Sequence, residues 1–266
     1  MKYTVIDRTD IRVSRISFGT ASLHHIASSS KRQKILRVAS SMGITHFDTS
    51  PYYGFGLAEL ELGALLSGAR SAFTVATKVG LYPRGNDSGG IAQVWARKLI
   101  GKLYPALSRP VIDWSVSRAE ESLRESLERL RTDYIDFVFL HEPDARLLQA
   151  DEFLAWFERE KARGRIRSWG VAGSESHVVP LLQARRSLTN VVQTADSLEG
   201  QQANFVLDCG RSLQFTYGYF SSERRAGGIM DPDLTMRSAL KRNVSGSIVV
   251  STRRTERLVE LARCVS

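Results

Sequence analysis

The sequence predicts an α/β protein folded as a (β/α)8 TIM barrel, a single domain with a long insertion after its third strand. Three observations predict this fold. The length of 266 residues is close to that of common single-domain barrels. Eight short apolar or β-branched runs alternate with segments of helical spacing. The first run lacks the Gly-x-Gly-x-x-Gly turn that would favour a doubly wound dinucleotide-binding sheet.

The eight predicted strands are short, and several are continuously apolar, as expected for a parallel sheet that is covered on both faces. They are Arg15–Ala21, Ile44–Asp48, Phe73–Val79, Tyr134–His141, Ser168–Ala172, Asn190–Thr194, Leu213–Tyr217 and Ser247–Ser251.

Helices are predicted between the strands, where apolar residues repeat every three or four positions. Clear stripes run through Ile35–Met42, Ala58–Leu66 and Ala119–Leu130, and further helices are expected near Phe153–Ala162, Val178–Ala184, Leu234–Lys241 and Glu256–Ala262. The spacing in Ser30-Lys-Arg-Gln33 and Ser117-Arg-Ala-Glu120 is that of a capping box, which predicts helix starts at these two serines. Glycines at 43, 68 and 164 fall where helices should end.

The whole chain, residues 1–266, is interpreted as one barrel domain with two additions. Residues 1–14 are predicted to form an N-terminal hairpin that turns at Arg8–Asp10 and caps the barrel floor. Residues 81–115 are predicted to form a long loop over the active-site rim, with a candidate helix at Ile91–Tyr104.

Composition excludes several classes of function. Hydrophobic residues are 42% and charged residues 24%, as in folded proteins, and no apolar run approaches the roughly 20 residues of a membrane span. The N-terminus lacks the apolar core of a signal peptide, so we expect a cytoplasmic protein with no membrane partner. The net charge of +9 is diffuse and lacks interleaved aromatic residues, so no nucleic-acid partner is expected. Cys209 and Cys264 have no metal-ligand spacing, so no metal is predicted.

Polar residues close three predicted strands, at the rim where active sites of such barrels lie. They are Asp48, Lys78 and His141, and Tyr53 follows Asp48 on the next loop. A phenol with a pKa of about 10 is a poor acid at neutral pH unless a cation stabilises its phenolate. Lys78 can supply that cation, Asp48 can orient Lys78, and His141 can hydrogen-bond a substrate oxygen.

The motifs around these residues resemble those of the aldo-keto reductase superfamily. The matching segments are Gly43-Ile-Thr-His-Phe-Asp48-Thr-Ser-Pro-Tyr-Tyr53-Gly54, Thr77-Lys78-Val79 and Leu140-His141-Glu142-Pro143-Asp144. The resemblance implies a catalytic tetrad of Asp48, Tyr53, Lys78 and His141. Within the superfamily, the chain is most similar to bacterial and plant aldose-dehydrogenase-like members.

The resemblance also implies a nicotinamide cofactor. Gln193 matches the residue that holds the nicotinamide carboxamide, and Tyr217 the aromatic residue that stacks on the nicotinamide ring. The segment after the eighth strand is similar to the one that binds the adenosine phosphate and adenine, with Ser251, Thr252, Arg253, Arg257 and Glu260 as candidates. Where the family has Gly-Val-Ser-Asn after the fifth strand, this chain has Gly170-Val171-Ala172-Gly173, so Ser174 is the candidate replacement. The arginines favour NADPH, with NADH as the alternative.

These observations predict an NAD(P)(H)-dependent oxidoreductase that interconverts an alcohol and a small carbonyl or sugar substrate. Two other interpretations stay open. A strand-end lysine beside an acid and a tyrosine is also typical of Schiff-base aldolases, in which Lys78 would be the nucleophile. A fold of this kind could also serve as a non-catalytic nucleotide-binding regulator. No oligomeric state is predicted.

Overall fold

The computed structural model describes residues 1–84, 110–184, 186–225 and 231–265, and these form an α/β barrel. Eight parallel strands close the barrel in chain order, and the last pairs with the first. The barrel strands are β3 (Ile16–Gly19), β4 (His46–Asp48), β5 (Thr74–Val79), β8 (Ile135–His141), β9 (Ile166–Ala172), β10 (Val191–Ala195), β11 (Phe215–Tyr217) and β12 (Ser247–Val250). The predicted (β/α)8 class is therefore confirmed, and each of the eight predicted runs overlaps one barrel strand.

Most barrel strands consist almost entirely of buried residues, because helices cover the outside while side chains fill the inside. The helices are α1 (Ser29–Ser41), α2 (Leu57–Leu66), α3 (Val116–Leu130), α4 (Ala150–Ala162), α5 (Glu175–Ala184), α6 (Asn204–Asp208), α7 (Tyr219–Arg225), α8 (Pro232–Arg242) and α9 (Thr255–Arg263). Short 3-10 turns occupy Thr20–His25, Arg70–Ala72 and Arg186–Thr189.

The predicted starts of α1 and α3 were wrong by two residues. Ser28 caps α1 by accepting the Lys31 N–H, and Ser115 caps α3 by accepting the Arg118 N–H. In both cases, the earlier serine has the extended backbone that a capping residue needs, so Ser30 and Ser117 fall inside the helix. The helix ends agree better with the sequence, since Gly43 follows α1 with a φ of 83°.

The floor of the barrel is closed by an N-terminal hairpin, in which β1 (Tyr3–Val5) pairs antiparallel with β2 (Arg12–Ser14). Around the turn and on β2, Ile6, Ile11 and Val13 are fully buried. They pack in one cluster with barrel residues that include Phe137, Phe139 and Phe215. Among the described residues, this cluster fills the N-terminal end of the barrel and leaves the opposite end for a ligand.

Most of the predicted insertion lies outside the described residues, including the candidate helix Ile91–Tyr104. The two ends of the insertion lie side by side, because β6 (Leu81–Tyr82) pairs antiparallel with β7 (Val111–Ile112). Within the described ranges, no helix is long and apolar enough to cross a membrane, and no group of His, Cys, Asp and Glu residues is arranged to hold a metal ion. Both cysteines are free thiols.

Candidate active site

A cleft of about 380 Å³ opens at the C-terminal end of the barrel strands. Asp48, Lys78 and His141 project into its inner end from β4, β5 and β8, and Tyr53 enters from the loop after β4. These are the four residues that the sequence singled out, and the barrel brings all of them to one cavity. The outer end of the cleft is lined by Ser251, Thr252 and the start of α9.

A buried ion pair forms the base of the site. The Lys78 ammonium lies 2.7 Å from an Asp48 carboxylate oxygen and donates a second hydrogen bond of 2.9 Å to the Thr49 carbonyl. The pairing of β4 with β5 places Asp48 beside Ala76, and Lys78 is the next residue of β5 on the same face. Burial alone would lower the pKa of Lys78, but Asp48 and Tyr53 outweigh it and raise that pKa. Lys78 is therefore an ammonium at neutral pH.

Tyr53 lies above this pair, with the Lys78 nitrogen 4.9 Å from the centre of its ring. Burial raises the pKa of Tyr53, while Lys78 lowers it by a smaller amount. The effect of Lys78 expected from the sequence is thus present, but burial exceeds it in the absence of a ligand. The phenol is protonated at neutral pH and can donate its proton.

The backbone next to Tyr53 explains one part of the sequence motif. Gly54 adopts a φ of 66°, which residues with a side chain rarely adopt. A Cβ atom at this position would also lie 2.4 Å from the Cβ atom of His24. Glycine is thus required directly after Tyr53 for the loop to turn and hold the phenol over Lys78.

His141 ends β8 beside Tyr53, with the two rings perpendicular and their centres 6.2 Å apart. Burial, and next to it the charge of Lys78, lower the pKa of His141 to about 3. The imidazole is therefore neutral at physiological pH. Its Nδ1 atom is buried and has no hydrogen-bond partner among the described residues, so the ring has an unused polar group in a site built for a ligand.

Gln193 and Tyr217 also line the cleft, as the resemblance implied, but Gln193 is already engaged. Its side-chain nitrogen donates a 2.8 Å hydrogen bond to the same Asp48 oxygen that binds Lys78. Gln193 thus orients Asp48, and its second N–H and its oxygen remain for a ligand amide. Tyr217 presents a partly buried ring on the same side of the cleft.

The remaining candidates are distributed unevenly. Ser251, Thr252 and Arg257 line the cleft, whereas Arg253 lies in an adjacent recess with His25 and Lys31. Ser174 is exposed and lies outside the cleft, and Glu260 points toward Arg257 at 3.7 Å without lining the cleft.

Sequence reasoning left Glu142 out of the predicted site and gave Arg254 no role distinct from its neighbouring arginines, although both residues line the cleft. Glu142 directly follows His141, so the rule that singles out polar residues at strand ends could have found it. Arg254 stands between two arginines in sequence, and only the structure shows which of them face the cleft. No pattern in the sequence singles out Phe220 and Ser221, which reach the cleft from α7.

Three comparisons relate this site to known proteins. A model of the aldo/keto reductase family matches residues 15–195, which include the four inner residues and Gln193. The chain is 30% identical to the L-galactose dehydrogenase of Arabidopsis thaliana over 176 residues, 63% of this chain and 47% of that protein. It is 29% identical to a D-threo-aldose 1-dehydrogenase of Pseudomonas sp over 201 residues, 70% of this chain and 55% of that protein.

The alignments span about half the length of these curated relatives. A solved aldo-keto reductase from Klebsiella pneumoniae in complex with NADPH has the same fold, with a TM-score of 0.69 and 18% identity. That match covers 100% of this chain and 90% of the other.

Proposed function

Because the chain belongs to the aldo/keto reductase family, we propose that it is an NADPH-dependent oxidoreductase that interconverts a carbonyl and an alcohol. The observation that carries this proposal is the partly buried, protonated Tyr53 phenol held beside the Lys78 ammonium at the inner end of the cleft. A proton donor next to a fixed cation is suited to protonating an oxygen on which negative charge develops.

Each inner residue has a distinct role in the proposed reaction. A bound nicotinamide supplies or accepts the hydride. Tyr53 donates its proton to the carbonyl oxygen during reduction and takes one from the alcohol during oxidation. Lys78 stabilises the phenolate that Tyr53 then becomes, and Asp48 keeps Lys78 charged and oriented. His141, being neutral, can donate a hydrogen bond to the substrate oxygen and so position the reacting carbon.

The cleft fits a dinucleotide phosphate. Tyr217 and Gln193 offer a ring and an amide to the nicotinamide next to Tyr53, and Gln193 keeps polar atoms free for this contact. At the outer end, Arg254 and Arg257 face the cleft at the start of α9, where backbone N–H groups and the helix dipole favour an anion. The Arg257 Nη1 atom is buried without a hydrogen-bond partner in the described structure, which suits a phosphate contact. These groups favour NADPH over NADH.

The proposed substrate is a small carbonyl compound or an aldose. The two curated relatives above are named for sugar oxidation, which supports a polyhydroxylated substrate. Beyond Tyr53 and His141, the substrate end of the cleft includes the Glu142 carboxylate, which can accept hydrogen bonds from sugar hydroxyl groups.

A Schiff-base aldolase is a weaker candidate. An amine must be unprotonated to attack a carbonyl, whereas Asp48 and Tyr53 raise the pKa of Lys78. Trapping of a substrate on Lys78 with borohydride would contradict this ranking. A non-catalytic nucleotide-binding regulator is the other alternative, and turnover of any aldehyde or aldose would exclude it.

The proposed role of Tyr53 is tested by Tyr53→Phe, which removes the proton and leaves the ring. We expect a loss of at least about a hundredfold in kcat on a substrate that the wild type converts, the lower limit for general acid catalysis. Lys78→Met should be similarly impaired. Turnover is followed by the absorbance of NADPH across a panel of aldehydes and aldoses.

Cofactor affinity is the control for Tyr53→Phe, since the hydroxyl acts only on the reacting oxygen. The dissociation constant for NADPH should stay within about threefold of wild type, and the melting temperature should be unchanged. Wild-type turnover in the Phe variant would show that Tyr53 is not the proton donor.

A further inference from the structure

The carboxylate of Glu142 lies in the cleft, yet the proposed reaction gives it no catalytic role. Glu142 directly follows His141, and its side chain is about one-third exposed. Its backbone has a φ of 52°, a left-handed conformation that is costly for a residue with a side chain. The Glu142 N–H donates a 2.7 Å hydrogen bond to the Ala172 carbonyl, which holds that conformation against the end of β9.

The side chain of Glu142 is fixed toward β9 and β10. One carboxylate oxygen, Oε2, accepts the Ser174 N–H at 3.2 Å and lies 3.5 Å from the Ser174 hydroxyl. A Cβ atom on Gly173 would lie only 2.9 Å from this oxygen, so the glycine makes room for the carboxylate. A side chain at Gly173, the position that matches the family's asparagine, would therefore collide with this carboxylate.

The charge of Glu142 is poorly neutralised. Asp48, the other carboxylate that lines the cleft, is paired with Lys78 at 2.7 Å. The basic group recorded nearest to Glu142 in the described structure is the half-exposed His177 ring, 3.8 Å away. His141 is neutral, so the described residues at the inner end of the cleft carry one net negative charge beside Tyr53 and Tyr217. Glu142 and Tyr217 both line the cleft, and burial, followed by the charge of Glu142, raises the pKa of Tyr217.

We propose that the Glu142 carboxylate makes the cleft bind the oxidised, positively charged nicotinamide more tightly than the reduced, neutral ring, and so favours reduction of the bound carbonyl over oxidation of the bound alcohol. This inference rests on the proposed function, because it assumes that the nicotinamide lies against Tyr217. The two cofactor forms differ by one positive charge on the ring, and a fixed negative charge nearby stabilises only the charged form. By linkage, the same factor shifts the equilibrium between the bound species toward NADP⁺ with alcohol and away from NADPH with carbonyl.

The test measures cofactor affinity rather than turnover. In Glu142→Gln, the charge is removed while the side-chain oxygen can still accept the Ser174 N–H. We expect the dissociation constant for NADP⁺ to rise by about tenfold, from one charge at short range in a partly solvated cleft. The constant for NADPH should change by less than about threefold. Both are measured by isothermal titration calorimetry at neutral pH.

Three controls make the result specific. Glu175→Gln makes the same substitution on an exposed residue next to Ser174 and outside the cleft, and should change neither constant. Glu142→Asp keeps the charge and should retain the wild-type ratio of the two constants, even if the backbone conformation reduces its stability. Adenosine 2′,5′-bisphosphate has no nicotinamide, so its affinity should be the same in wild type and Glu142→Gln.

The possible failures are distinguishable. If the wild type binds neither dinucleotide, the proposed function is wrong and the inference with it. If both dinucleotides bind but Glu142→Gln keeps the wild-type ratio of the NADP⁺ and NADPH constants, the inference alone is overturned. An effect confined to the KM of the substrate would assign the carboxylate to substrate binding and overturn it equally.

Discussion

The two ends of the cleft are built on different parts of the fold. At the inner end, Asp48, Lys78 and Gln193 project from barrel strands, are almost completely buried and share hydrogen bonds of 2.7 and 2.8 Å. At the outer end, Arg253 and Arg254 are exposed on the loop before α9, and no side-chain ion pair is recorded for either in the described structure.

The inner end of the cleft therefore supplies fixed geometry, whereas the outer end supplies positive charge. The inner end is arranged before any ligand arrives, because each polar group is held by a partner from another strand. The outer end supplies cations that can reorient around a phosphate. We therefore expect substitutions at the inner end to affect both the fold and the chemistry, and substitutions at the outer end to affect affinity alone.

The largest effect on stability is expected for Asp48→Ala, which leaves the buried Lys78 ammonium without its carboxylate. Removing one partner of a buried pair costs about 3–5 kcal/mol in free energy of unfolding. Lys78 keeps its bond to the Thr49 carbonyl, so we expect about 3 kcal/mol. Urea denaturation at pH 7 measures the change.

A double variant sharpens this prediction. In Asp48→Ala/Lys78→Met both charges are absent, so the double variant should be more stable than Asp48→Ala alone. If the double variant is as unstable as Asp48→Ala, or if its loss equals the sum of the two single losses, the two side chains do not stabilise the inner end as a pair.

The second prediction concerns His46, which lies inside the barrel on β4 below the site. The ring is fully buried, stacks on Phe215 with centres 4.8 Å apart, and bonds Thr74 through Nδ1 at 2.9 Å. Burial, followed by the charges of Lys78 and Arg70, lowers the pKa of His46 to about 3. The unfolded chain therefore binds a proton below a pH of about 6.5 that the folded chain cannot bind.

It follows that stability is greatest above about pH 6.5 and falls as the pH decreases toward 3. At pH 5, His46 should cost about 2 kcal/mol relative to pH 7.5, and His141, with its similarly lowered pKa, about the same. His46→Gln should lose about 2 kcal/mol less than wild type over this range in urea denaturation. Identical slopes for His46→Gln and wild type would contradict the buried, neutral state of His46.

The same comparison explains what the sequence could and could not predict. The inner residues follow short apolar strands, so the rule for strand ends and the motif spacing together found Asp48, Lys78 and His141. The bond from Gln193 to Asp48 could not be predicted, because it joins β10 to β4 across the barrel and depends on how the barrel closes. Likewise, the capping serines 28 and 115 were missed, because the backbone at the residue before the helix decides which serine caps it.

At the outer end, the sequence identified the basic segment but not the orientation of each arginine. Three arginines within five residues at a helix start predict an anion site. Which side chains face the cleft depends on the loop from β12 into α9, where Arg254 is the capping residue and Arg253 precedes it. Arg254 and Arg257 consequently line the cleft, whereas Arg253 lines only the adjacent recess, which Arg254 also borders.

The smallest effect is therefore expected at the outer end, where the affinity for NADPH distinguishes Arg254 from its neighbour Arg253. Arg254→Ala should weaken NADPH binding by about tenfold, because a charged hydrogen bond to phosphate is worth about 1.5–3 kcal/mol and this side chain is partly screened by solvent. Arg253→Ala should weaken it by about threefold or less, because it contributes only longer-range charge. NADH lacks the 2′-phosphate, so its affinity should change little in either variant. If Arg253→Ala has the larger effect on NADPH, the phosphate instead occupies the recess that Arg253 shares with His25 and Lys31, and Lys31→Ala should then weaken NADPH binding to a similar extent.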